Sequence, residues 1–287
     1  MLDWRVVRRE QKDKLGEGPL WSAKDDAIYW VDILAPALYC HSLDDGAVKR
    51  WPMPESIGWV IERRDRPGFI AGLQSGFVEL DLAPFAIRPI AAPEPHHPGN
   101  RMNDAKADKH GRIWAGTMDA AIREATGSLY CLQPDRSVRR VDEGYKITNG
   151  PAFSPAQDSM YHTDTGRGVV YRFDVSADGA ISNRQVFLKF TAEMGSPDGM
   201  TVDSEGHVWI AHWGGSRVCR YTPDAVLDRT IELPASQITS CTFAGPNLDR
   251  LFVTSAAKGL TNEPLAGSLF EADAGGVRGL PPGVFGG

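Results

Sequence analysis

Short β-type segments recur six times along the chain at a spacing of roughly 40–50 residues, which predicts an all-β, six-bladed β-propeller. The segments are rich in β-branched and aromatic residues, and Asp-Gly or Gly-rich turns separate them, as at Asp44-Asp45-Gly46 and Asp178-Gly179. In the first copy, residues 18–22 are followed by 27–32, 37–40 and 47–51. A weaker second copy lies between 57 and 90 and includes the strand-like run 68–73. The third runs through 103–107, 112–117 and 127–130, and the fourth through 149–151, 160–164 and 169–173. The fifth passes from 198–200 to 207–212, and the sixth from 240–242 to 250–255. The copies begin near residues 17, 57, 103, 149, 198 and 240. Helical solenoids share this period, but 30 glycines, 20 prolines and β-type runs disfavour them. Residues 4–10, left over before the first copy, are expected to supply the outer strand of the last blade and close the ring. No internal boundary is visible, so residues 1–287 are read as one propeller domain.

Composition narrows the function. A formal charge of −6 argues against nucleic acid as a partner. The start Met1-Leu2-Asp3-Trp4-Arg5 has no apolar leader core, and no run is apolar for long enough to span a membrane. The expected location is the cytoplasm, with no membrane partner. Cys40, Cys131, Cys219 and Cys241 share no short spacing and read as small core residues of a reducing compartment. Nothing in the sequence signals an oligomer.

A propeller brings together residues that are far apart in sequence. The innermost strand of every blade starts at one mouth of the channel, so the residues opening the copies ring the axis: Glu17, Asn103, Asn149, Asp198 and Ser240. The second strand returns antiparallel, placing Asp32, Thr117, Asp164, His212 and Ser255 near the same mouth as a supporting layer. Two carboxylates and an amide converging in a partly buried place repel and are desolvated unless a cation offsets them. Glu17, Asn149 and Asp198 all offer oxygen, which suits Ca²⁺, Mg²⁺ or Mn²⁺, with Zn²⁺ or Fe²⁺ also open. Three protein ligands leave room for water and substrate, as in a catalytic site.

The same segments resemble the senescence-marker-protein/gluconolactonase/luciferin-regenerating family of six-bladed propellers. The stretches are Leu15-Gly16-Glu17-Gly18-Pro19-Leu20-Trp21, Arg101-Met102-Asn103-Asp104, Gly116-Thr117-Met118-Asp119, Thr148-Asn149-Gly150-Pro151, Ser196-Pro197-Asp198-Gly199 and Trp213-Gly214-Gly215. They stand in family order over about residues 13–270, and Trp213-Gly214-Gly215 with the 255–260 segment looks most like bacterial sugar lactonases. The resemblance implies one divalent metal held by Glu17, Asn149 and Asp198, with Arg101 and Asn103 on substrate oxygens. The chain departs from the pattern at Ala105, where the family often has glycine, and at Ala121, where some members are acidic. Asp119 is the expected substitute for that acidic substrate contact.

The implied reaction is metal-dependent opening of a sugar lactone (glucono-, xylono-, arabino- or galactonolactone) to its aldonic acid, with Asp198 as catalytic base. Two rivals stay open: a phosphotriester or ester hydrolase on the same scaffold, and a non-catalytic metal- or ligand-binding propeller. Other features rank lower. His96-His97 sits in a Pro-rich loop without a converging ligand set, and Ser240 lacks a GxSxG elbow. Trp21, Trp30, Trp114 and Trp209 read as core, Trp59 and Trp213 as aromatic faces for the sugar, and His212 as a neighbour of the site. Residues 62–66 read as a solvated blade turn.

Overall fold

A computed structural model describes residues 4–287; the first three residues of the predicted domain, and of the segment examined for a leader, lie outside the described residues. The chain forms β1 (Trp4–Val6) and then six sheets in sequence order. The first comprises β2 (Gly16–Ser22), β3 (Ala27–Asp32), β4 (Ala37–Ser42) and β5 (Val48–Pro52). The second comprises β6 (Ile57–Glu62), β7 (Phe69–Leu73), β8 (Gly76–Leu82) and β9 (Phe85–Ala91). The third holds β10 (Asn100–Ala107), β11 (Ile113–Asp119), β12 (Gly127–Leu132) and β13 (Val138–Tyr145). The fourth holds β14 (Thr148–Phe153), β15 (Ser159–Asp164), β16 (Val169–Val175) and β17 (Ile181–Lys189). The fifth holds β18 (Ser196–Val202), β19 (Val208–Trp213), β20 (Arg217–Tyr221) and β21 (Leu227–Glu232). In the sixth, β22 (Ile238–Ala244), β23 (Arg250–Ser255) and β24 (Phe270–Asp273) are completed by β1, with Trp4 opposite Ala272 and Val6 opposite Phe270.

This is the predicted six-bladed propeller, and the amino-terminal segment closes it as expected. Each inner strand packs against the inner strand of the next blade, and β22 returns to β2. Burial follows that geometry. The inner strands β2, β14 and β22 are buried along their whole length, whereas the outer strands β5, β17 and β21 alternate or face solvent. Among the described residues no helix is long and apolar enough to cross a membrane.

Buried tryptophans fix the blades, and three of them find a carboxylate for the indole N–H. Trp30, Trp114 and Trp209 donate to the carboxylates of Asp13, Asp108 and Asp203 at 3.0, 2.8 and 2.8 Å. Each of those carboxylates is also paired with an arginine: Arg9, Arg112 and Arg220. Trp59 belongs to this core rather than to a sugar site. It is 1 % exposed and packs against Gly72, where a Cβ would come within 2.3 Å of the indole ring. All four cysteines are buried and free. The 62–66 turn is only partly solvated, because Arg63 is buried and pairs with Asp81 at 2.6 Å.

The carboxy-terminal tail had no counterpart in the sequence reading. It crosses the mouth of the channel opposite the strand starts. Gly279 N–H donates to Leu248, Phe285 N–H to Glu62 and Gly286 N–H to Gly111, so one segment ties blades 6, 2 and 3. Phe285 is fully buried against Ile61, Ala107 and Ile113.

Candidate functional site

In every blade the inner strand breaks register with its neighbour next to the residue that opens the repeat. The shifts fall between Glu17 and Leu20, Ile57 and Trp59, Met102 and Ala105, Asn149 and Ala152, Pro197 and Met200, and Ile238 and Ser240. A bulge turns the strand locally and re-aims the side chain beside it. The positive φ of Gly18 (54°) and Gly150 (78°) follows directly after Glu17 and Asn149, conformations that glycine adopts without a Cβ penalty.

The second-strand ends hold these bulges from outside. Asp32 accepts the amides of Lys14 and Leu15 at 2.8 and 3.1 Å, just ahead of Glu17. Asp164 accepts those of Lys146 and Ile147 at 3.3 and 3.4 Å, just ahead of Asn149. The device is the same in blades 1 and 4. Ser255 Oγ donates to the Ser268 carbonyl at 2.7 Å, and Thr117 Oγ donates to Glu94 at 2.8 Å. His212 is buried within blade 5, with Nδ1 2.8 Å from the Met194 carbonyl oxygen and Nε2 3.3 Å from the Tyr221 hydroxyl. Burial lowers its pKa to about 4, so it stands as a neutral strut away from the carboxylates.

Glu17, Asn149 and Asp198 line one cavity of about 310 Å³, together with Arg101 and Asn103. Asn149 Nδ2 donates to Thr165 Oγ at 2.8 Å, which fixes the orientation of its amide oxygen. Asn103 is engaged at both ends. Its Oδ1 accepts Arg101 Nη1 at 2.6 Å, and its Nδ2 donates to Asn149 Oδ1 at 3.1 Å. It therefore brackets Arg101 against Asn149. Asp104, one residue on, is buried and accepts the Gly150 N–H at 2.8 Å, fixing the backbone next to Asn149 from the neighbouring blade.

Electrostatics make this a strained cluster without a counter-ion. Burial, then the charge of Asp104, pushes Glu17 up to about 8. Burial, then Glu17 and Asp104, raises Asp198 well above the ordinary carboxylate range. Asp104 is raised by burial, against the pull of Lys106 and two amides. Arg101 is lowered to about 10 by burial, partly offset by Glu17 and Asp198, and stays cationic at neutral pH. Two destabilised carboxylates and a pre-oriented amide oxygen suit a hard divalent cation, which would offset the repulsion. Among the described residues no three His, Cys, Asp or Glu side chains form a metal-holding group by themselves, so the donor set depends on the Asn149 amide.

Asp119 does not join this cluster. Its carboxylate accepts the amides of Ala121, Arg123 and Glu124 at 3.1, 2.8 and 3.1 Å and caps its own loop. The cavity wall there is formed by Met118 and Ile122 instead. Trp213 does line the cavity, as expected of an aromatic sugar face. Ser240 Oγ is buried without a hydrogen-bond partner among the described residues and lies against Gly199, with no base at hand. His96 and His97 stay in the Pro-rich loop, outside the cavity lining. The sequence reading missed Asp104, Thr165 and Lys258. Asp104 was visible inside the Arg101-Met102-Asn103-Asp104 motif, whereas Thr165 and Lys258 lie in the loops that follow the second strands of blades 4 and 6.

The bulges thus gather oxygen donors from several blades at one mouth of a six-bladed propeller. The SMP-30/Gluconolactonase/LRE-like region model matches residues 15–257, and the chain belongs to that family. It is 31% identical to the putative sugar lactone lactonase YvrE of Bacillus subtilis (strain 168), over 96% of this chain and 97% of that protein. It is 36% identical to the 6-deoxy-6-sulfogluconolactonase of Pseudomonas putida, over 92% of each. The crystal structure of a calcium-binding protein, regucalcin from Agrobacterium tumefaciens str. C58, superposes with a TM-score of 0.93 at 29% identity, covering 99% of this chain and 97% of that one.

Proposed function

We propose that the protein is a metal-dependent lactonase that opens sugar lactones to aldonic acids. The observation that carries the reading is the convergence of Glu17, Asn149, Asp198 and Arg101 on one cavity in a chain of this family. The lactonase names of the Bacillus and Pseudomonas relatives support the substrate class, and the calcium-binding regucalcin supports the ion.

Glu17, Asn149 and Asp198 would hold a divalent cation (Ca²⁺, Mg²⁺, Mn²⁺, Zn²⁺ or Fe²⁺), which when bound would polarise the lactone carbonyl as a Lewis acid. Asp198 takes the proton of the attacking water as its oxygen bonds to the carbonyl carbon. When the ring C–O bond breaks, Asp198 returns that proton to the ring oxygen, which leaves as a hydroxyl. Arg101 donates to substrate oxygens through its planar fork, and Asn103 keeps that fork aimed. Trp213 offers a flat face to sugar C–H bonds. Met118, Ile122 and Ile147 form an apolar wall that limits water around the reacting ester.

The test is a metal-depleted sample assayed against five- and six-membered aldonolactones, with acid release followed as each divalent ion is returned. Turnover restored by one or two ions is the expected result. Tight ion binding without turnover of any lactone would overturn the reading in favour of a binding propeller or a hydrolase of other esters.

A further inference from the structure

The cavity holds a second cation that the reaction above leaves unused. Lys258 follows β23 in blade 6 and lines the same cavity as Arg101, which stands on β10 in blade 3. In a ring of six blades these two lie on opposite sides of the axis. The backbone of Lys258 is clamped: its N–H donates to Gln237 Oε1 at 3.1 Å, and its carbonyl accepts Gln237 Nε2 at 3.0 Å. The Gln237 carbonyl also accepts the Ala256 N–H at 2.9 Å, and Gln237 bridges to Trp213 on the cavity wall. The rim residue is thus anchored while its side chain remains exposed, and among the described residues its ammonium makes no hydrogen bond or ion pair.

Charge balance gives that ammonium a task. Among the described residues, Glu17 and Asp198 are the only carboxylates lining the cavity, and a divalent cation would neutralise them. Asp119 is occupied by backbone amides, and the wall beside it is Met118 and Ile122. Arg101 and Lys258 then remain as two positive charges that no lining carboxylate offsets. A neutral sugar lactone offers the second cation only hydroxyl acceptors and no charge to pair with. A lactone carrying an anion on its far carbon matches both. We propose that Lys258 makes this site selective for lactones that bear a phosphate, sulfonate or carboxylate on the carbon farthest from the reacting ester.

The proposal rests on the lactonase reading, and the experiment separates the two. The full chain, loaded with the divalent ion that best supports turnover, is assayed on a neutral aldonolactone and on the same lactone bearing terminal phosphate, sulfonate or carboxylate. The expected result is a kcat/KM roughly tenfold or more higher for at least one anionic lactone, the scale of one charge-assisted contact. The preference should fall with added salt, and the three anions identify which group is taken. Lys258→Met should erase the preference through KM, with Lys258→Arg restoring part of it. Equal kcat/KM for neutral and anionic lactones, or a Lys258→Met loss that is the same for both, would overturn this proposal and leave the lactonase reading standing. No turnover of any lactone would overturn both.

Discussion

Metal binding should be tightly coupled to protons, and the coupling follows from how Glu17 is buried. Burial and the charge of Asp104 push its carboxyl up to about 8 in the metal-free protein. A group with a pKa of about 8 is about nine-tenths protonated at pH 7, and only the carboxylate binds a hard cation. Binding at pH 7 should therefore expel about one proton from Glu17, which alone sets the apparent affinity about tenfold below its alkaline limit. Asp198, raised by burial and then by Glu17 and Asp104, adds to the release. Each unit of pH below 8 should weaken binding at least about tenfold, and the affinity should level off only above the raised values. Stability carries the same sign. Between the unfolded value of 4.5 and about 8, the native state holds more protons than the unfolded chain, so the metal-free protein loses stability as pH rises through that window. Stabilisation by metal should grow over the same range. Calorimetric titration with Ca²⁺ or Mg²⁺ from pH 6 to 9, in buffers of different ionisation heat, measures the proton count directly. Buffer-independent heats at pH 7 together with a flat affinity would refute the electrostatic picture of the site.

Three further outcomes follow from named contacts. Asp198→Asn should keep the fold, as read by melting, but lower kcat at least about 100-fold, the scale of a lost general base; near-normal turnover would remove Asp198 from that role. Asp104→Ala strips the acceptor from the Gly150 N–H and should weaken metal binding about 10- to 100-fold. It should be measured near pH 9, which limits the opposing effect of the lost charge on Glu17, and unchanged affinity there would count against a positioning role. Phe285→Ala removes a fully buried ring from the tail that ties blades 6, 2 and 3, and should cost about 3–5 kcal/mol. That corresponds to a fall in Tm on the order of 10 °C, with kcat/KM unchanged because the tail crosses the opposite mouth; an unaltered Tm would show that the tail does not lock the ring.

The repeat was legible because it is written in local chemistry: strand-forming runs, turn residues and a fixed period. It also determined which polar residues meet. Glu17, Asn149 and Asp198 occupy the same place in their copies, and symmetry carries equivalent places to one axis. The amino-terminal closing strand was legible for a related reason, since it was the one segment left without a repeat of its own. Tertiary structure alone decided what each side chain does once there. Asp119 and Asp104 are alike in sequence, yet one turns back onto its own loop amides while the other reaches across to Gly150. Trp59 lies near the start of β6 and Trp213 ends β19, but only Trp213 lines the cavity, because Gly72 receives the ring of Trp59. The tail beneath the channel and the Gln237 clamp under Lys258 fall outside the period, so no internal comparison could reveal them. Periodicity reports which positions are equivalent; which way a side chain faces depends on bulges, glycines and neighbours that come together only when the ring closes.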